Sequence, residues 1–274
     1  VGRSLAAWIE AAGGVRVRLV GREGAAALST AGEDLLMIAV PDQEIAGAAA
    51  LLSGRPQARV ALHTAGALDA SALASLARAG TAAGSLHPLK AFPAVLPEVT
   101  EARGVCFALD GDPQAVALAR RLVAAWGGAA VEVPAAARPV YHLAATLAAG
   151  GVVTLLAAAI ELAAALGLPD LVAGGYFALA RGALERAARA AGRVGGGTEE
   201  GAVGLGTAAA ITGPAARGDL ETVERGLAVL AAVDPAKVPL VVALARETLH
   251  QRSRIAPLTA AQQALLARLA APRG

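Results

Sequence analysis

Asp34-Leu35-Leu36-Met37-Ile38-Ala39-Val40-Pro41-Asp42 is the stretch on which the fold class turns. Its middle is an almost unbroken apolar run, short for a core helix and too uniformly apolar for a strand with one wet face. Such a run marks a parallel strand covered by helices on both sides. Pro41-Asp42 ends it, and a helical segment, about Gln43–Leu52, follows. Strand, turn and helix make the repeating unit of a doubly wound sheet.

The unit repeats downstream. Arg59–His63 reads as the next strand, running into His63-Thr64-Ala65-Gly66, and Asp69 caps a helix to Ala79. Thr81–Leu86 is a short strand stopping at His87-Pro88. Residues 89–101, with Pro93 and Pro97, read as a long irregular crossover. Val105–Leu109 is a further strand. A helix from Asp112-Pro113 to Trp126 and a last strand, Ala130–Val133, complete this half. Upstream, an amphipathic helix, Leu5–Ala12, leads through Gly13-Gly14 to an alternating strand, Val15–Val20, and then to Gly21-Arg22. Helix and strand are half of a βαβ unit. Its first strand, with the opening glycines of a G-x-G-x-x-G turn, is expected before Val1. Gly2 would then be the last glycine of that turn, the one that permits close helix–strand packing.

After Pro134 the strands stop. Arg138–Leu166 reads as one long helix or two pieces broken near Gly150-Gly151, followed by helices at Leu171–Ala191, Ala202–Ile211, Leu220–Ala232, from Asp234-Pro235 to about His250, and Ala260–Leu269, capped by Thr259. The fold expected is therefore α/β and Rossmann-like over residues 1–134, with an all-α domain over 135–274. The glycine-rich stretch 192–206 lacks the lysine and hydroxyl of a phosphate loop and reads as a connection.

Composition narrows the function. The chain has 274 residues, enough for two domains. With 56% apolar and 17% charged residues, a large core is expected, and apolar surface left over is expected to be covered by a partner subunit. The net charge is only +2, and the pI of about 9.1 reflects a small arginine excess rather than a basic stripe, so nucleic acid is not an expected partner. A single cysteine, Cys106, in a strand-like run reads as a buried thiol, and with no visible signal peptide the expected location is the cytoplasm. Leu143–Leu166 is the most hydrophobic run. Gly150-Gly151 in its middle and Glu161 near its end favour a buried helix of a helical domain over a membrane span.

Polar residues gather where strands end: Asp42, His63, Thr64, His87 and Lys90. In an open parallel sheet that edge binds ligands. Zinc would need His63, His87 and Asp42 without local ligand spacing or a cysteine, so no metal is expected. A second polar segment interrupts the helical half, Ala210-Ile211-Thr212-Gly213-Pro214-Ala215-Ala216-Arg217-Gly218-Asp219. Asp219 reads as an N-cap, Arg217 as a fork that could clamp a carboxylate, and Thr212 as one more donor.

Five stretches together resemble one family: Leu35–Asp42, Leu62–Gly66, Gly84–Phe92 (with Ser85-Leu86-His87-Pro88-Leu89), Tyr141–Ala145, and Thr212–Asp219. The chain is similar to Rossmann-like proteins carrying DUF2520, often labelled NADP-dependent oxidoreductases, and more distantly to pyrroline-5-carboxylate reductase, ketopantoate reductase and 6-phosphogluconate dehydrogenase relatives. The resemblance implies a hydride transferred to or from a small, acidic metabolite, and a homodimer through the helical domain. It implies a cofactor on Gly2, Arg3, Arg22, Val40, Pro41, His63 and Thr64. Arg22, where an acid would serve NAD, favours NADP over NAD. His142 is the expected proton donor, with His87 and Lys90 as the other catalytic candidates. Tyr141, Thr212, Arg217 and Asp219 would bind substrate. Two departures stand out: the family's Ser-Gly is Ala65-Gly66 here, and a family asparagine corresponds to Gly150. They keep open a second reading, a nucleotide- or metabolite-binding protein without turnover.

Overall fold

The computed structural model describes residues 1–13, 16–25, 28–30, 32–55, 58–92, 99–194 and 202–271. The chain divides into two compact units, Val1–Gly151 and Val152–Gly274. The division falls after the first helix beyond the sheet rather than at residue 134.

The first unit is built on a five-stranded sheet in the order β1 (Leu35–Ile38), β2 (Val60–His63), β3 (Ala82–Pro88), β4 (Cys106–Gly111) and β5 (Ala129–Glu132). Around it lie α1 (Gly2–Ala11), the short α2 (Arg22–Ala25), α3 (Asp42–Ser53), α4 (Ala74–Arg78), α5 (Pro113–Ala125) and α6 (Arg138–Thr146). Strand periodicity assigns the faces. Val60, Leu62, Leu86, Phe107 and Leu109 point to one side and meet Leu5 and Trp8 of α1 and Ala115, Ala119 and Val123 of α5. Trp8 is fully buried at the centre of that core, with its ring centroid 5.9 Å from Trp126 and 6.4 Å from Phe107. Ile38, Ala61 and Ala83 point to the other side, against Ile45, Ala49 and Leu52 of α3 and Leu76 of α4.

Two features of the sheet differ from the sequence expectation. β1, β2 and β3 run parallel, but β4 is antiparallel to β3, and β5 is parallel to β4. A parallel return needs a crossover of a dozen residues or more, usually a helix. The described part of the β3–β4 connection holds only a single 3-10 turn, Val99–Ala102, and the chain reverses instead, with Leu89 N–H donating to Cys106 O at 2.8 Å. Second, the alternating segment expected as a strand at Val15–Val20 forms none over residues 16–20. Alternation says which side chains could face a sheet, but a strand also needs a ladder partner, and no described residue pairs with the free edge of β1. Arg18 instead donates to Ser29 O at 2.7 Å and pairs with Glu33, while Leu19 is exposed. As an edge strand, β1 is buried fully only at Ile38.

The second unit is helical: α7 (Val152–Ala165), α8 (Leu171–Val194), α9 (Ala202–Ala209), α10 (Pro214–Arg217), α11 (Leu220–Val233), α12 (Val238–Ser253) and α13 (Ala260–Ala270). Leu227, Ala245, Leu249, Leu265 and Leu269 form its core. Asp219 caps α11 through Thr222 N–H, and Thr259 and Gln262 form a capping box on α13. Residues 195–201 of the glycine-rich connection lie outside the described residues. The helical run Ala135–Ala165 passes Gly150-Gly151 through a single π-turn, Leu147–Gly151. By length and composition it could cross a membrane, and its apolar window is not buried in this chain. The expectation of a buried helix is corrected here: Leu143, Leu147 and Val153 are 58%, 64% and 67% exposed.

Replacing Trp8 with Ala removes the side chain that binds α1 to the sheet. A loss of about 3–5 kcal/mol is expected, read as a lower urea midpoint for the first unit.

Candidate functional site

The period-2 rule that fills the core also gathers polar side chains. On the face opposite Leu62 and Leu86, β2 ends in His63, β3 carries Ser85 and His87, and β4 carries Asp110. The register sets Ser85 beside both His63 and Asp110. The antiparallel turn of β4 is what brings Asp110 here. Onto this face comes α6, whose Arg138, Tyr141 and His142 stand at i, i+3 and i+4 and so share one side of the helix.

Arg138 is fully buried. Its Nη2 donates to Ser85 Oγ and lies 3.4 Å from Asp110 Oδ1. Ser85 Oγ donates to the same carboxylate oxygen at 2.5 Å, and Ala70 N–H donates to the other at 3.2 Å. Burial holds the Arg138 pKa below its ordinary value, opposed by the charge of Asp110. Nε and Nη1 of Arg138 are buried with no partner among the described residues.

Beside this ion pair stand three aromatic rings. Tyr141 Oη lies 2.9 Å from His87 Nδ1, and the rings meet edge to face. His142 meets His87 in the same way, with centroids 5.5 Å apart. Burial, then the charges of His142 and Arg138, push the His87 pKa down to about 4, so His87 is neutral at physiological pH. Burial raises the Tyr141 pKa, so it remains a phenol. Gly66 is packed under the two imidazoles. A Cβ there would lie 2.2 Å from His142 Nδ1 and 2.7 Å from His87 Nε2, so only glycine fits without displacing a ring.

These groups wall a cavity of about 350 Å³ at the carboxyl edge of β1, β2 and β3. Val40, Pro41, Thr64, His87, Lys90 and His142 line it, as does Val1 at the start of α1. Gly2 packs so closely that a Cβ would lie 2.9 Å from Ala39 Cβ, and the first turn of α1 has no side-chain cap. Lys90 is held by Glu101 at 3.1 Å.

Other candidates lie elsewhere. His63 is fully buried behind the cavity. Its Nδ1 accepts from Ala65 N–H, so Nε2 carries the proton and donates to Asp69 O at 2.9 Å. Burial lowers its pKa, and both ring nitrogens are taken up by the backbone. Arg3 is exposed on the first turn of α1, and Arg22 opens α2, its side chain lying outside the description. Thr212 and Arg217 are exposed in the second unit, and Asp219 there is engaged by the end of α11. Among the described residues no group of three or more metal-ligating side chains occurs.

Sequence reasoning missed Arg138, Ser85, Asp110 and Gly66. The i, i+3, i+4 spacing of Arg138 with Tyr141 and His142 was the available signal. Nothing in the chain order placed Asp110 opposite Ser85.

A family model described as "Domain of unknown function (DUF2520)" matches residues 105–248. No curated protein matches the chain. Among solved structures, TM1727 from Thermotoga maritima is similar at 20% identity and a TM-score of 0.64, covering 83% of this chain and 81% of its own. BF3122 from Bacteroides fragilis, described as a candidate NADP oxidoreductase, is similar at 20% identity and a TM-score of 0.57, covering 78% and 74%. Both likenesses show the fold alone, a Rossmann-like sheet with a helical remainder.

Two outcomes follow from the buried network. Asp110→Ala strands the Arg138 cation and is expected to destabilise the first unit by about 3–5 kcal/mol in urea titrations. His87 has a lower pKa folded than unfolded, so on acidification the unfolded chain takes the proton first. The stability this contributes is complete above about pH 6.5, the ordinary value, and is lost as pH falls towards about 4. His87→Gln should flatten that part of the stability–pH curve, leaving the slope that His63, lowered in the same sense, contributes.

Proposed function

Since this chain belongs to the DUF2520 family, whose description states no activity, we propose from its own geometry that it is an NADP-dependent oxidoreductase acting on a small, acidic metabolite. The observation that carries this reading is the meeting of His87 from the sheet and His142 from α6 at a cavity on the carboxyl edge of the parallel strands. That edge is where doubly wound sheets take dinucleotides.

The residues present fit such a cofactor. The uncapped first turn of α1 offers backbone N–H groups to a pyrophosphate, and the absence of a Cβ at Gly2 lets helix and strand close up there. Val40, Pro41 and Thr64 would flank the dinucleotide, and Arg22 would pair with a 2′-phosphate. When bound, a nicotinamide supplies or accepts the hydride. The chain's own part is proton handling and positioning. His142 gives or takes the proton at the substrate, and neutral His87, hydrogen-bonded to Tyr141, stands next to it. Lys90, held in place by Glu101, attracts an acidic substrate to the cavity mouth.

We also propose that a second copy of the chain covers the exposed apolar faces. Leu171, Phe177 and Leu179 of α8 are 85%, 54% and 65% exposed, apolar side chains that a second copy would take out of water. Sedimentation should then give twice the 26.9 kDa chain mass.

The deciding measurement is NADPH fluorescence. Binding should enhance and blue-shift the emission at cofactor concentrations below about 1 mM; an unchanged spectrum at that concentration ends the oxidoreductase reading. With a substrate in hand, His142→Ala should lower kcat by about 10²–10⁴-fold while NADPH still binds. Binding without turnover of any acidic carbonyl or alcohol would instead favour a non-catalytic binding protein.

A further inference from the structure

His142 Nδ1 is buried and has no hydrogen-bond partner among the described residues. A buried, unmade hydrogen bond costs about 1–3 kcal/mol, so such an atom calls for a partner. His87 Nε2 lies beside it, over the same glycine. One point above the Cα of Gly66 lies 2.2 Å from the first nitrogen and 2.7 Å from the second. The rings stand at 79° to each other, so the edge of one meets the other. The far nitrogen of His87, Nδ1, is already committed to Tyr141 Oη at 2.9 Å.

We propose that Tyr141, His87 and His142 form one hydrogen-bonded array in which His87 is the positioning residue and His142 the group that meets the substrate. In this array His87 Nδ1–H donates to the oxygen of Tyr141, and His87 Nε2 accepts the Nδ1–H of His142. His142 Nε2 is left to face the substrate. A carboxylate usually orients a catalytic histidine; here a neutral imidazole does. Neutrality is essential, because a protonated His87 would set two N–H groups against each other. The surroundings keep it neutral: burial first, then the charges of His142 and Arg138 from α6, oppose a charge on His87.

The chemistry balances. A bound nicotinamide would supply the hydride that forms the C–H bond at the substrate's carbonyl carbon; the C=O π pair then moves to oxygen, which forms its O–H bond as doubly protonated His142 breaks its Nε2–H bond. The Nδ1–H bond to His87 is unchanged, and His142 ends as the neutral Nδ1–H tautomer. The reverse direction takes an alcohol proton onto Nε2. The assignment to substrate rests on the oxidoreductase reading, while the array itself rests on the placement of the three rings and on a neutral His87.

The test uses the whole protein without cofactor. Its four histidines are few enough to assign by long-range ¹H–¹⁵N spectra. In the neutral form, His87 and His142 should both carry the proton on Nδ1. His87→Gln, which keeps an acceptor oxygen, should leave His142 on Nδ1. His87→Leu, which has none, should move His142 to the Nε2–H form. If His142 carries its proton on Nε2 in the unaltered protein, or if His87→Leu leaves its tautomer unchanged, the array is wrong. The unaltered protein decides the matter even if a variant fails to fold. NADPH fluorescence separates the two ideas. Binding with the wrong tautomers sinks the array alone, and the expected tautomers without binding leave the array and remove the nicotinamide.

Discussion

A guanidinium buried without access to water must be held by groups that answer its charge, and in this protein that requirement organises the site. Arg138 finds Asp110 and Ser85 on two neighbouring strands. Replacing a buried pair with apolar side chains is often neutral for stability, so the pair is better understood as a fixing device than as a source of stability. It sets the rotation of α6 on the sheet. Tyr141 and His142, one helical turn further on, then have no choice but to meet His87. The closeness of Gly66 is the other half of the constraint, since a methyl group there would push the imidazoles off the cavity wall.

The reversal of the chain between β3 and β4 has the same consequence at the level of topology. Were β4 parallel to β3, its Asp110 end would lie beside the carboxyl end of β3, away from Ser85. The antiparallel register puts Asp110 opposite Ser85 and behind the cavity. The acid therefore serves Arg138 and Ser85. The imidazoles of His87 and His142 stand instead at the cavity wall.

The helical half poses a different problem. Its alanine- and leucine-rich helices form a modest core around Leu227 and Leu249, yet α7 and α8 leave long apolar rows outside it. Apolar periodicity shows that a row must be covered. It does not show whether the cover is the same chain or another surface, which is why Leu143–Leu166 read as a buried helix and is not one in the isolated chain.

What the sequence determined by itself was local. Apolar runs of strand length, Pro and Gly at their ends, and Asp or Thr at helix starts give β1 to β5, α3, α5 and the caps on α11 and α13, because each depends on neighbours a few residues away. His87 stood out at a strand end, and the family resemblance named Tyr141 and His142. Tertiary structure decided which segments found partners. Residues 16–20 have a strand's alternation but no ladder, and β4 has a strand's run but the opposite direction. It also decided the roles: His63, equal to His87 in the sequence, has both ring nitrogens bonded to the backbone, while Arg138, unmarked in the sequence, became the anchor. A side chain's chemistry follows from what is packed against it, and residues from β2, β3, β4 and α6 meet only once the sheet has closed.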